Sequence, residues 1–365
     1  MRTSNILAVI ALTTACLLGP VPAGAGKPSG GGGGSGIKVE ELVKPVGSVD
    51  AYAGDINDSG TVAVGAAYWD ATWDYRNNYY AVRWTRASTS DPWVAEDLRL
   101  MFPPNVDSRA YLVNDAGTIV FLSYNTGHHY VMTSAGAVTD LATDAVSALS
   151  NNGTMVGYRW VTQGVPLFWA SPSSAPEELP PLDSSYSAGA SLFQGADVIG
   201  WAEDADGRWA VRWMNNAGSW SVQRIALLPP QASGPSGMNS AGRLSLGVYD
   251  PSSVQYGWEH RPAVWDPPYT QPPINLPTVS GTAGTAGRVL EDGTVVGVVT
   301  ANSKTVRHWL PVTWPTPTSL VKLPLLSGAK YGGTNGVNAY RQISGAVSFV
   351  EGWATVDHAV IWKLP

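Results

Sequence analysis

Chemistry needs histidines, thiols, carboxylates in pairs, or aromatic platforms. Five histidines occur, at His128, His129, His260, His308 and His358. His128 and His358 fall at one place in a repeated strand pattern, where other copies carry Tyr80, Val165, Trp209, Arg261 and Leu310. A place that accepts Tyr, Val or Leu is structural, and the adjacent His128 and His129 would point to opposite faces of a strand. Neither zinc spacing nor a Ser-His-Asp or Cys-His set is present. Glu203-Asp204-Ala205-Asp206-Gly207 has the alternating carboxylates and glycine of half a calcium loop. The later ligands and terminal Glu are missing, so a polar hairpin tip explains it. Asp70, Asp74, Glu203, Asp250 and Glu259 are available for glycoside hydrolysis, but nothing fixes the ~5 to 9 Å separation such pairs need. No catalytic residue, metal or cofactor is expected from these motifs.

Aromatic residues are the exception. Tyr68, Trp69, Trp73, Tyr75, Trp160, Trp201, Trp258 and Trp309, with Tyr79, Tyr249 and Tyr256 beside them, fall outside or at the edges of the repeated strands. Large rings with a polar handle suit recognition surfaces, where they stack on sugars or peptide groups. The eight named first are the expected ligand-binding set. The competing reading is that they cap gaps between structural units under long loops.

What must position them is a repeat of about 46 residues. Each copy opens with small residues, passes a polar turn, continues as a short strand ending in Gly, and reaches an apolar strand ending in an aromatic residue. The first copy runs AYAGDINDSGTVAVG from Ala51 to YAVRW ending at Trp84. The turn recurs as VNDAGTIVF, SNNGTMVG, FQGADVIG, NSAGRLSLG, EDGTVVG and NAYRQISG. The closing positions are Met132, Trp169, Trp213, Trp265, Trp314 and Trp362, at steps of 48, 37, 44, 52, 49 and 48 residues from Trp84. Asn, Asp and Gly tolerate the positive φ of tight hairpins. A fourth strand follows each closing residue (VAEDL from Val94, VTDL from Val138, LVKLP from Leu320). Repeated groups of four antiparallel strands predict an all-β, seven-bladed β-propeller.

The seventh copy ends at Pro365 without a fourth strand, while KVEELV from Lys38 has the fourth-strand pattern. Residues 38–43 are therefore expected to complete the last blade and close the ring, removing two exposed sheet edges.

These units resemble the extracellular repeats named for a His-Ala-Phe signature, in which AxxINxxGxVVG precedes a His-Ala-Phe-x-Trp strand. Asp55-Ile56-Asn57-Asp58-Ser59-Gly60 and His358-Ala359-Val360-Ile361-Trp362 carry the resemblance over about 300 residues. Phe is often Val here, His is kept mainly at His128 and His358, and unit two closes with Met132. The resemblance implies an exported, propeller-like fold and no established activity.

The ends and the composition complete the reading. Arg2, the apolar run Ile6–Leu18 and Ala23-Gly24-Ala25 have the layout of a secretory signal over residues 1–25. The run is shorter than the ~20 residues that span a bilayer, so no transmembrane segment is expected. Cys16 lies inside it, and lipid modification at Cys16 is the alternative to a secreted chain. Residues 26–36 read as a Gly/Ser-rich linker and 37–365 as the propeller. Charged residues make up 14% of the chain and the net charge is −6, which excludes the basic footprint of a nucleic-acid binder. The expected protein is a secreted, monomeric β-propeller acting as a binding or interaction module for an extracellular glycan, peptide or protein, and more plainly that than an enzyme. A propeller glycoside hydrolase or lyase, and a structural repeat protein without a small ligand, are the alternatives.

Overall fold

The computed structural model describes residues 36–69, 79–101, 107–230, 232–249, 260–279, 283–301, 308–351 and 354–365. The expected signal, Cys16 and nearly all of the linker lie outside these residues, as do Trp73, Tyr75, Tyr256, Trp258, Asp70, Asp74, Asp250 and Glu259.

Seven four-stranded antiparallel sheets make up the chain, with one 3-10 turn, Arg99–Met101, among the described residues. Blade one is Asp50–Ile56, Val62–Tyr68, Tyr79–Thr85 and Val94–Asp97. Blade two is Ser108–Val113, Ile119–Ser123, His129–Met132 and Val138–Asp140, and blade three Ala145–Leu149, Met155–Trp160, Gly164–Trp169 and Glu177–Glu178. Blade four is Ala188–Gln194, Asp197–Asp204, Gly207–Asn216 and Ser219–Leu227, and blade five Gly237–Met238, Leu244–Tyr249, His260–Trp265 and Ile274–Asn275. Blade six is Gly284–Val289, Val295–Ala301, His308–Trp314 and Val321–Lys322. Blade seven takes Tyr331–Val337, Gln342–Glu351 and Ala354–Lys363, and its fourth strand is Lys38–Glu41 from the beginning of the chain. This is a seven-bladed β-propeller.

The repeated residues each have a mechanical task. Six first strands carry a bulge, as between Ala53 and Asp55 or Ala110 and Leu112. Beside it the second strand has Gly: a Cβ on Gly200 would lie 2.1 Å from the Gly189 carbonyl and 2.9 Å from the Trp213 ring. Any side chain there would collide. Trp84, Trp169, Trp213, Trp314 and Trp362 are fully buried. The indole N–H of Trp213 donates to Pro180 O at 2.7 Å, that of Trp314 to Pro277 O at 2.8 Å and that of Trp362 to Pro324 O at 2.7 Å, each just past the fourth strand of the preceding blade. Trp84 donates in the same way to Val43 O, at 2.7 Å, just past Lys38–Glu41.

Leucine marks the end of every fourth strand. Leu98, Leu141, Leu179, Leu228, Leu276 and Leu323 send their backbone N–H to the third strand of their blade, and Leu42 sends its own to Ala359 O at 2.9 Å. Leu42, Ala359 and Ile361 share one core cluster with Ala51, Ala53 and Trp84 of blade one. This apolar seam lies where the beginning of the chain, blade seven and blade one meet.

Blade two departs from the pattern in a compensated way. Met132 replaces the Trp, Phe121 replaces the Gly, and both pack in one cluster, with Phe121 stacked on Tyr130 at 5.3 Å. The ring removed from one strand is supplied by its neighbour.

Candidate functional site

A propeller has two faces, one with the hairpin turns between first and second strands, the other with the connections between second and third strands. On the second face, at the seam of blades seven, one and two, polar and aromatic side chains gather. Asp50 begins its strand opposite Tyr68, which lies opposite Tyr79. The Tyr79 ring lies 5.3 Å from Tyr68 and edge-on to Tyr52 at 6.1 Å. From blade two, Arg109 sits between the rings of Tyr111, at 6.0 Å, and Tyr124, at 5.7 Å.

Blade seven adds a second carboxylate. The Asp357 backbone N–H donates to Asp50 Oδ1 at 2.9 Å, and Ser348 Oγ donates to Asp357 Oδ1 at 2.6 Å. Burial, and then the charge of Asp357, holds the Asp50 carboxyl well above the usual carboxylate range; burial also raises Asp357. A carboxyl taken out of water beside another negative group holds its proton more tightly. Burial likewise pushes the phenols of Tyr52 and Tyr79 up, so both remain hydrogen-bond donors at neutral pH.

His129 adjoins this cluster in a structural role. Tyr111 Oη donates to Val146 O at 3.1 Å and lies 2.8 Å from His129 Nδ1, which leaves His129 Nδ1–H as the donor to Tyr111. Burial first, then the Arg109 charge, lowers His129 to about 4. It is neutral at physiological pH and holds the Tyr111 phenol, whose own O–H ties blade two to blade three.

Of the expected set, Tyr68 belongs to this cluster. Trp69 is turned aside: its indole N–H donates to Val46 O at 3.1 Å, Arg99 lies 4.0 Å over its ring, and Tyr80 meets it edge-on. Trp160 is exposed and lies against Gly164 in blade three. Trp201 stacks under Arg208 at 4.5 Å and fills space beside Gly189 and Gly234. Trp309 is half-buried opposite Thr300. Among the described residues no ring contact joins Trp160, Trp201 and Trp309, which mark separate blades around the rim. Trp73, Tyr75 and Trp258 lie outside the described residues.

The other polar motifs are occupied by local partners. Glu203 takes Arg208, while Asp204 accepts Asp206 N–H at 2.9 Å and Trp209 Nε1–H at 3.1 Å and pairs with Arg224. That is a hairpin tip. His128 meets Asp140 at 3.1 Å and His358 meets Glu41 at 2.6 Å. Among the described residues no group of three His, Cys, Asp or Glu could hold a metal.

Sequence reasoning missed Asp50, Tyr52, Arg109, Tyr111 and Asp357. A signal was present. First strands carry small residues, as at Ala51, Ala53 and Ala110, and Tyr52, Arg109 and Tyr111 interrupt that rule in adjacent blades. Bulk beside the axis marks places where packing alone does not choose the residue.

By comparison with known proteins, the fold is the shared feature. No family model matches, and no curated protein matches. The chain is similar to the β-propeller domain of the trilobed protease from Pyrococcus furiosus (TM-score 0.52, 9% identity, covering 86% of this chain and 94% of that one). That domain is described by an open velcro topology, whereas here Lys38–Glu41 pairs with Ala354–Lys363. It is also similar to a structure from a study of two prolyl endopeptidases (TM-score 0.53, 11% identity, 86% of this chain). The chain spans about half of that protein, 47% of its length. At such identities the likeness defines the class, a β-propeller, and carries no activity with it.

Proposed function

We propose that the chain is an exported binding module that takes a polar extracellular ligand, a glycan or peptide, at the seam of blades seven, one and two. The observation that carries this reading is the convergence of Asp50, Tyr52, Tyr79, Arg109 and Tyr124 on one face. Protonated phenols, a guanidinium and carboxyls supply donors and acceptors beside flat rings, the combination that fixes hydroxyls or amides while stacking the apolar side of a ligand. Export is supported by the signal-like residues 1–25. No helix among the described residues is long and apolar enough to cross a membrane.

A glycan and peptide array probed with the full chain tests the reading. Binding should appear on at least one class and fall at least tenfold in Arg109→Gln, the expected loss for a charge-assisted contact. No binding, or binding unchanged in Arg109→Gln and in Tyr52→Ala, would sink it.

A hydrolase or lyase reading is favoured by one observation, the Asp50–Asp357 contact with both carboxyls raised. Carboxyls whose proton affinity is raised can serve acid–base chemistry. It predicts turnover of an array ligand that Asp357→Asn abolishes.

A further inference from the structure

On the opposite face, the one with the hairpin turns, the first strands end around a cavity of about 280 Å³. Its wall takes Asp55 from blade one, Val113 from two, Ser150 from three, Phe193 from four, Arg288 from six and Val337 from seven. A hollow touched by six blades lies on the propeller axis.

Two opposite charges face it. Asp55 Oδ2 accepts the Val113 N–H at 3.0 Å, and Oδ1 lies over Gly336, where a Cβ would come within 2.2 Å. The carboxylate is thus held in place by one blade and given room by another. The half-buried Arg288 guanidinium is attracted by the charge of Asp55 but makes no hydrogen bond or salt bridge with any described residue. Nine other described arginines pair with an Asp or Glu. A guanidinium taken partly out of water without a hydrogen-bonded acceptor is costly, and its planar fork matches a carboxylate. The other charged wall residue, Asp58, is already engaged by Asn151 Nδ2 at 2.8 Å and Ala339 N–H at 3.3 Å.

We propose that this axial cavity binds a small organic acid, its carboxylate on Arg288 and an α-hydroxyl or α-ammonium group on Asp55. The volume lies just below the ~300 Å³ at which ligand pockets ordinarily start, and so fits a small acid rather than an oligomer. The negative Asp55 works against a second anionic group, which disfavours inorganic phosphate. The cavity and the seam site lie on opposite faces, so either can fail without the other.

Calorimetric titration of the full chain with lactate, glycine, acetate, lactamide and inorganic phosphate tests this. Lactate or glycine should bind, lactamide should not, and phosphate should bind more weakly. Arg288→Gln should weaken lactate at least tenfold, Arg288→Lys by less, and Asp55→Asn should narrow the preference for lactate over acetate by roughly tenfold. Three results overturn the proposal: no acid binds at millimolar concentration, lactamide or phosphate binds as well as lactate, or the folded Arg288→Gln and Arg288→Lys proteins bind lactate unchanged.

Discussion

Asn338 Nδ2 donates to the backbone carbonyl of Asn57 at 2.9 Å, joining the last blade to the first across 281 residues. Its Oδ1 meanwhile accepts Gln342 N–H at 2.9 Å and shapes its own turn. Asn114 acts alike, with Oδ1 taking Thr118 N–H and Nδ2 reaching Ser150 O of the next blade, and so does Asn239 towards Leu290 O. At these three turns the repeated Asn is therefore an inter-blade tie, whereas Asn57 keeps its Nδ2 within its own turn on Ser59 Oγ.

Removing that tie leaves buried backbone groups unpaired. Asn338→Ala should lower stability by about 2 to 4 kcal/mol, read from denaturant midpoints at unchanged m-value. A loss below about 0.5 kcal/mol would contradict the assignment.

The strand at the chain's beginning fills the same place as six internal fourth strands. Leu42→Ala should cost about 2 to 5 kcal/mol, since Leu42 is fully buried between blades seven and one. Deleting residues 37–43 should cost more, because Trp84 then also loses its acceptor Val43. An unchanged melting temperature after the deletion would show that this strand contributes nothing to closure.

Phe121 and Met132 should be exchangeable only together. Met132→Trp should clash with Phe121, and Phe121→Gly should open a cavity costing about 3 to 5 kcal/mol. The pair Phe121→Gly and Met132→Trp restores the arrangement of Gly345 and Trp362 and should recover most of the loss. Additive losses in the double variant would refute the compensation.

Stability should vary with pH through Asp55. Burial raises its carboxyl from the ordinary 3.8 to about 6, against the opposing pull of the Val113 N–H and Arg288 and with a smaller push from Asp58. Between those values the folded chain holds a proton that the unfolded chain has released, so stability falls as pH rises from about 4 to about 6 and then levels. The contribution is on the order of 3 kcal/mol at most. Asp55→Asn should flatten that part of the curve. His129, lowered to about 4, acts in the opposite sense, losing stability as pH falls below about 6.5. Comparing each variant with the parent chain separates them.

Much of the architecture is visible in the residues themselves. The Asn-Gly turns, the closing Trp and the small first strands repeat because sevenfold packing imposes the same demands seven times. The seventh turn shows the limit of such patterns: Arg341 takes the left-handed position, at φ 61°, that Gly60 takes in the first, at 69°. The seam site was less legible because it is built by exceptions. Asp50 and Asp357 are 307 residues apart, and nothing local distinguishes Asp357 from a solvated loop acid. Trp69 looked suited to binding by type, but its polar edge is spent on Val46 and its face on Arg99.

Hydrogen exchange of the full chain, with and without a glycan or peptide recovered from the array, tests the central claim most directly. Slowed exchange should centre on residues 50–52, 108–111 and 355–358, with the hairpin-turn face unchanged. Protection confined to the turn face, or spread evenly over all seven blades, would contradict the seam as the binding site.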